Sequence, residues 1–192
     1  MLFRSFSPVS TGLAFLPMIG ALSVAAVVAQ TRLLPRTGPK PLISTGMLLA
    51  AGGMMILTQV GVDSTYAADV LPGLLFVGVG LGFSIATAMS TATLGVDAAD
   101  SGVASAMVNT AQQVGGSIGT ALLSTIAASA VTAFAVGKPG SPGLAAQAAV
   151  HGYTTAFWVA AAIFAFGAVV CGLLLRPGVP EFDPSTAPAM AH

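Results

Sequence analysis

The sequence predicts an all-α integral membrane protein with five transmembrane helices, and three observations carry that expectation. Hydrophobic residue types make up 55% of the 192 residues and charged types 6%, against about 25% charged in an average soluble domain. The mean hydropathy is +0.92. The few charges also stand far apart, leaving five intervals that can hold the roughly 20 apolar residues needed to cross a hydrocarbon core about 30 Å thick. These intervals run from Arg4 to Arg32, Lys40 to Asp63, Asp69 to Asp97, Asp100 to Lys138 and Lys138 to Arg176.

The same composition excludes several function classes. Six Lys+Arg against six Asp+Glu give a formal net charge of zero, so there is no basic field to hold nucleic acid. One cysteine, Cys171, permits no internal disulfide and no Cys-type zinc site. His151 and His192 have no partner at metal-ligand spacing. No nucleophile with an adjacent base, phosphate-binding loop or HExxH is present, so neither an enzyme nor a cofactor or metal site is expected.

Trimming the intervals at Pro, Gly and polar clusters places the spans at 10–34, 41–61, 70–94, 102–135 and 153–175. Residues 1–9 form a stub before the first span. The second begins at Pro41, a residue suited to a first helical turn, and Ser101 can cap the fourth. At 34 residues the fourth is too long for a perpendicular crossing, so it is expected to tilt or to project past the hydrocarbon. It ends at Gly137-Lys138-Pro139-Gly140-Ser141-Pro142-Gly143, which cannot continue a helix. The tail, 176–192, carries Pro177, Pro180, Pro184 and Pro188 and little apolar surface, and is expected to be disordered.

Basic residues set the orientation. Arg32, Arg36 and Lys40 lie between the first two spans and Arg176 follows the fifth, which places those segments and the tail in the cytoplasm. The amino-terminal stub then faces outward, in an integral protein of the plasma membrane. Residues 1–7 do not form a signal peptide. With the odd number of spans, this suggests the carboxy-terminal part of a longer membrane protein.

Polar side chains are costly in hydrocarbon unless they meet a partner helix or a water-filled cavity. Their distribution separates the spans. The second and fifth carry polar residues only near their ends and read as peripheral. The third has Ser84, Thr87 and Thr91 on one face. In the fourth, Asn109, Gln113, Gly116 and Thr120 recur at nearly 3.6 residues, with Gln112 beside them. Two readings stay open for this stripe: interhelical hydrogen bonding, and the lining of a solute cavity. For Gly78 with Gly82, and for Gly115, Gly116 and Gly119, close helix packing is the favoured role. No acidic, basic or His residue lies at mid-span, so a proton relay has no carrier within these residues.

In the fourth span, Ser101-Gly102, Ala104-Ser105, Asn109, Gln113, Gly115-Gly116 and Gly119 resemble the penultimate helix of the fourteen-helix drug:proton antiporter branch of the major facilitator superfamily. Gly78-Val79-Gly80-Leu81-Gly82-Phe83 resembles the Gly-rich start of the helix before it. Arg36-Thr37-Gly38-Pro39-Lys40 is similar to the carboxy-half copy of the superfamily's cytoplasmic R-x-G-R-R/K loop, with Pro35 and Pro39 replacing an acidic and a basic position. Ser7-Pro8-Val9-Ser10-Thr11-Gly12-Leu13, with Leu16-Pro17, resembles the entry into the helix before that loop.

The resemblance covers roughly residues 7–175 and implies the last five helices of such a transporter. By that resemblance the protein moves amphipathic drugs or other small organic solutes outward by alternating access, coupled to protons. Asn109, Gln112, Gln113, Thr120, Ser84 and Thr87 would line the carboxy-half cavity, and Arg36, Gly38 and Lys40 would form the cytoplasmic gating loop. The implied partners are the lipid bilayer, a small organic solute and the missing amino-terminal half, in the same or a separate chain. That half would hold the coupling carboxylate. The alternative is a non-transporting membrane protein, either a split half that docks on a partner chain or an inactive gene relic.

Overall fold

The computed structural model describes residues 8–93, 96–97, 99–137, 143–175 and 178. The loop expected at 138–142, the stub before residue 8 and the tail beyond residue 178 lie outside the described residues, as do Arg4, Lys138 and Arg176. Five helices are long and apolar enough to cross a membrane.

Helix α1, Pro8–Val28, holds Pro17 inside it. It passes into a π-helical turn, Ala29–Leu33, and then into a single turn, α2, Leu34–Thr37. Pro35 accounts for the widening: it has no N–H to offer the carbonyl four residues back, and its ring crowds that carbonyl. The Leu34 N–H bonds instead to the carbonyl of Ala29. Gly38 ends α2 at φ 76°, in the left-handed region that a side chain would strain. Its N–H reaches the Leu34 carbonyl at 3.0 Å.

Helix α3, Pro39–Leu57, therefore starts two residues before the expected boundary, with Pro39 in its first turn. A π-helical turn, Tyr66–Val70, leads into α4, Leu71–Thr93. Helix α5 runs 37 residues, Ser101–Gly137. Helix α6, Leu144–Leu174, departs most from expectation, beginning nine residues before 153. Its first turns are rich in alanine, a strong helix former, and Gly143 at φ 71° turns the chain into them. His151 thus lies within a helix, its ring 5.0 Å from that of Phe134 on α5.

The packing order across the molecule is α1, α4, α3, α6, α5, with the broadest interface between α3 and α4. Glycine makes that interface. Gly46 and Gly53 on α3 meet Gly80 and Gly73 on α4, each pair seven residues apart. A Cβ on Gly46 would stand 2.7 Å from the Gly80 carbonyl oxygen, and one on Gly53 would stand 2.7 Å from that of Gly73. The opposite side of α4 meets α1 likewise, since a Cβ on Gly78 or on Gly82 would lie 2.5 Å from the carbonyl oxygen of Met18 or Leu22 respectively. Lipid offers no hydrophobic force between helices, so close backbone approach and dispersion hold such seams together. Of the fourteen buried hydrophobic residues among those described, eight are accordingly alanine: Ala25, Ala29, Ala50, Ala51, Ala148, Ala160, Ala161 and Ala168. Large apolar side chains such as Phe166, Leu173 and Leu174 face outward.

Among the described residues, side chains also tie distant segments together. The Gln30 amide nitrogen donates to the Ala86 carbonyl, and the Tyr66 hydroxyl to the Ala14 carbonyl. Each joins the α1 side to the α4 side at a different depth.

Candidate functional site

Helix α5 has no buried residue. Every residue from 109 to 118 is exposed, so Asn109, Gln112 and Gln113 lie uncovered by the other helices, and Thr120 is exposed just beyond. A Cβ added at Gly115, Gly116 or Gly119 would meet nothing within 4 Å. These glycines therefore make no packing seam with the other described residues, whereas Gly78 and Gly82 do. The reason is geometric: α5 packs chiefly on α6, with Gly152 of α6 set against the Ala127 carbonyl and Val131, and those contacts lie toward the end of α5 beyond the stripe.

Four hydroxyls of α5, on Thr110, Ser117, Thr125 and Thr132, donate to the carbonyl four residues back. Thr110 donates to the Ala106 carbonyl and Ser117 to that of Gln113, each at 2.8 Å. The stripe presents three carboxamides, each able both to donate and to accept, together with the Thr120 hydroxyl. This arrangement suits neutral polar groups of a solute.

Ser84 and Thr87 stand apart from that face. Ser84 Oγ lies 3.4 Å from the Ile43 carbonyl that it donates to, inside the α3–α4 seam. Thr87 is fully buried, and its hydroxyl has no hydrogen-bond partner. Their face of α4 turns into the helix packing, so the structure separates them from the α5 amides. The second span, read as peripheral from its polar residues, is α3, and it lies between α4 and α6 in the packing order.

At the other candidate locus, Arg36 is exposed on α2, Gly38 and Pro39 are buried and Lys40 is half-buried in the first turn of α3. Leu34, Ala29 and Leu42 form an apolar cluster beneath this corner, with Leu33 and Phe83 packed against it. The corner is thus a tight hairpin, closed by the Gly38–Leu34 hydrogen bond and carrying two cations.

The sequence reading missed one feature. A cleft of about 560 Å³ lies between α1, α4, the end of α3 and the first half of α6, lined among others by Met18, Leu57, Val77, Leu81 and Phe157. Its signal was present in the apolar spacing of Val70, Leu74, Val77 and Leu81, which a census of polar residues passes over.

The sequence matches the Major Facilitator Superfamily over residues 2–120. It is 40% identical over 172 residues to the puromycin resistance protein pur8 of Streptomyces alboniger, covering 88% of this chain and 34% of that protein. The cephamycin export protein CmcT of Amycolatopsis lactamdurans is 30% identical over 187 residues, covering 97% of this chain and 35% of the relative. The tetracenomycin C resistance and export protein of Streptomyces glaucescens is 35% identical over 130 residues, covering 67% and 23%. The chain spans about a third of the length of the first two of these relatives. Five apolar helices, glycine seams and the family match lead to one conclusion: the chain belongs to the Major Facilitator Superfamily.

Proposed function

We propose that these residues are the carboxy-terminal part of an efflux transporter for amphipathic organic solutes, working by alternating access and coupled to protons. The observation that carries this reading is the uncovered amide stripe on α5, in a chain whose similar proteins include export and resistance proteins. Polar groups at mid-depth are costly unless they meet a partner or water, and no helix among the described residues covers these. Asn109, Gln112, Gln113 and Thr120 form the carboxy-half wall of the solute path. Ser84 and Thr87 hold the helices behind it.

Arg36, Gly38 and Lys40 form the cytoplasmic gating corner, with the amino-terminal end outside and the carboxy-terminal end in the cytoplasm, because cytoplasmic loops carry the excess of basic residues. The amino-terminal half, in the same or a separate chain, supplies the opposing wall and the proton-binding carboxylate.

The test is to replace Asn109 and Gln113 together with Leu in the exporting cell and to measure efflux of a panel of solutes that includes puromycin, cephamycin and tetracenomycin C. Export of at least one solute falls by about tenfold, equivalent to about 1.4 kcal/mol of lost interaction. Unchanged export of the whole panel at unchanged membrane abundance overturns the cavity role.

A further inference from the structure

Helices α1 and α4 run side by side in the same direction. Gly78 of α4 meets the Met18 carbonyl and Gly82 the Leu22 carbonyl, so in both cases the α4 partner stands sixty positions ahead. At these contacts α4 presents no side chain to lodge between the turns of α1. A seam of glycine on backbone brings two helices close, but ridges of side chains seated in grooves are what interlock them along the axis.

The axial register is fixed elsewhere, by two bonds whose acceptors are backbone atoms. The Gln30 amide reaches the Ala86 carbonyl, and the Tyr66 hydroxyl reaches the Ala14 carbonyl. Ala14 and Gln30 lie sixteen residues apart, about 24 Å along the helix, and bracket the glycine contacts. Near a membrane surface such side chains can turn their polar ends to water. Here both are half-buried and spent between helices. Both donors stand in π-helical turns, Ala29–Leu33 and Tyr66–Val70, a geometry that recurs as single turns at functional sites.

The two bonds also slant alike. By the offset of sixty, Gln30 is level with Ser90 but bonds four residues before it, and Ala14 is level with Leu74 but bonds Tyr66, eight residues before that. A slide of α4 toward its own N-terminal end therefore stretches both. From Gln30 the π-helical turn leads directly into α2, whose Leu34 carbonyl holds the Gly38 N–H at 3.0 Å. The level of Gln30 on α4 is thus also the level at which Arg36 and Lys40 are held.

We propose that Gln30 and Tyr66 are positioning residues that together lock the axial register of α1 on α4 and so set the height of the basic corner. The lock rests on the packing alone; its bearing on export rests on the transporter reading.

The experiment uses the whole protein in lipid nanodiscs, carrying Cys171→Ala and nitroxide labels on Val24→Cys paired with Phe76→Cys or with Ala92→Cys. All three positions are exposed, and the two on α4 lie eight residues to either side of the one level with Val24. Sliding lengthens one interspin distance and shortens the other, whereas parting of the helices lengthens both. Gln30→Met and Tyr66→Phe each remove one donor, and either alone is expected to keep both distances because the other bond holds. Together they are expected to lengthen the Val24–Phe76 distance and shorten the Val24–Ala92 distance, each by about 4 Å for a slide of one turn. Gln30→Glu gives a second route to the double variant, since its ionised carboxylate only accepts, and the same opposite shifts are expected. In the double variant the Vmax of export falls at least about threefold at unchanged KM, because the corner moves and the solute wall does not.

Unchanged distances in both double variants, a lengthening of both distances, or the full shift in either single variant overturns the lock. Opposite shifts with Vmax at the parent value overturn the bearing on export. Opposite shifts in a protein whose parent exports none of the solutes sink the transporter reading and leave the lock standing. Unchanged distances with the Asn109 and Gln113 dependence of export intact do the reverse.

Discussion

Gly80 and Gly115 are both mid-helix glycines, yet the fold uses them in opposite ways. A Cβ on Gly80 would lie 2.5 Å from the Ala50 nitrogen and 3.0 Å from its Cα, both backbone atoms that cannot step aside. Gly80→Ala therefore forces α3 and α4 apart, and we expect it to cost about 1–3 kcal/mol, the range for overpacking a close-packed interior. Gly115→Ala meets nothing within 4 Å, and alanine's better helix propensity makes it neutral or stabilising by up to about 1 kcal/mol. Heating the detergent-solubilised variants and measuring the fraction that stays monodisperse checks both, and equal midpoints would refute the distinction. The motif alone could not separate these residues. Gly78 with Gly82 and Gly115 with Gly119 share one spacing, but only the first pair finds a backbone opposite it in this chain.

Among the elements, the five spans were legible because charge spacing and apolar length dictate them directly, while the start of α6 was not. Residues 144–151 contain Gln147 and His151, and a hydropathy reading trims such positions away. Helix propensity nonetheless favours alanine-rich turns, and Ala148 is buried at 2% exposure. The difference yields a prediction: Ala148→Pro removes a helical hydrogen bond and crowds the turn before it, at a cost of about 3 kcal/mol. Circular dichroism and membrane abundance should both fall. Wild-type values for this variant would mean that the helix starts near residue 153 after all. The neighbours of α3 were equally illegible from polar residues, because its seams are made of glycine, and glycine carries no polarity signal.

At the scale of the whole molecule the interfaces are uneven. Helix α4 is gripped on two sides, by α1 and by α3, whereas α5 rests chiefly on α6. Hydrogen–deuterium exchange in detergent should accordingly show α3 and α4 among the most protected segments and residues 109–118 among the least, since local stability follows contact density. Uniform protection across all five spans would contradict that ordering. The lengths of the helices have a separate consequence. At about 1.5 Å per residue, α3 is about 28 Å long and matches the hydrocarbon core nearly upright, but α5 is about 55 Å long. Even inclined at about 40°, the upper end of observed tilts, α5 overshoots the core by about 12 Å. Bilayer thickness therefore acts on these two helices differently. Longer lipid tails take up the surplus of α5 and bring it toward the membrane normal while straining the match of α3, so the acyl composition of the host membrane sets the angle at which the amide stripe is held.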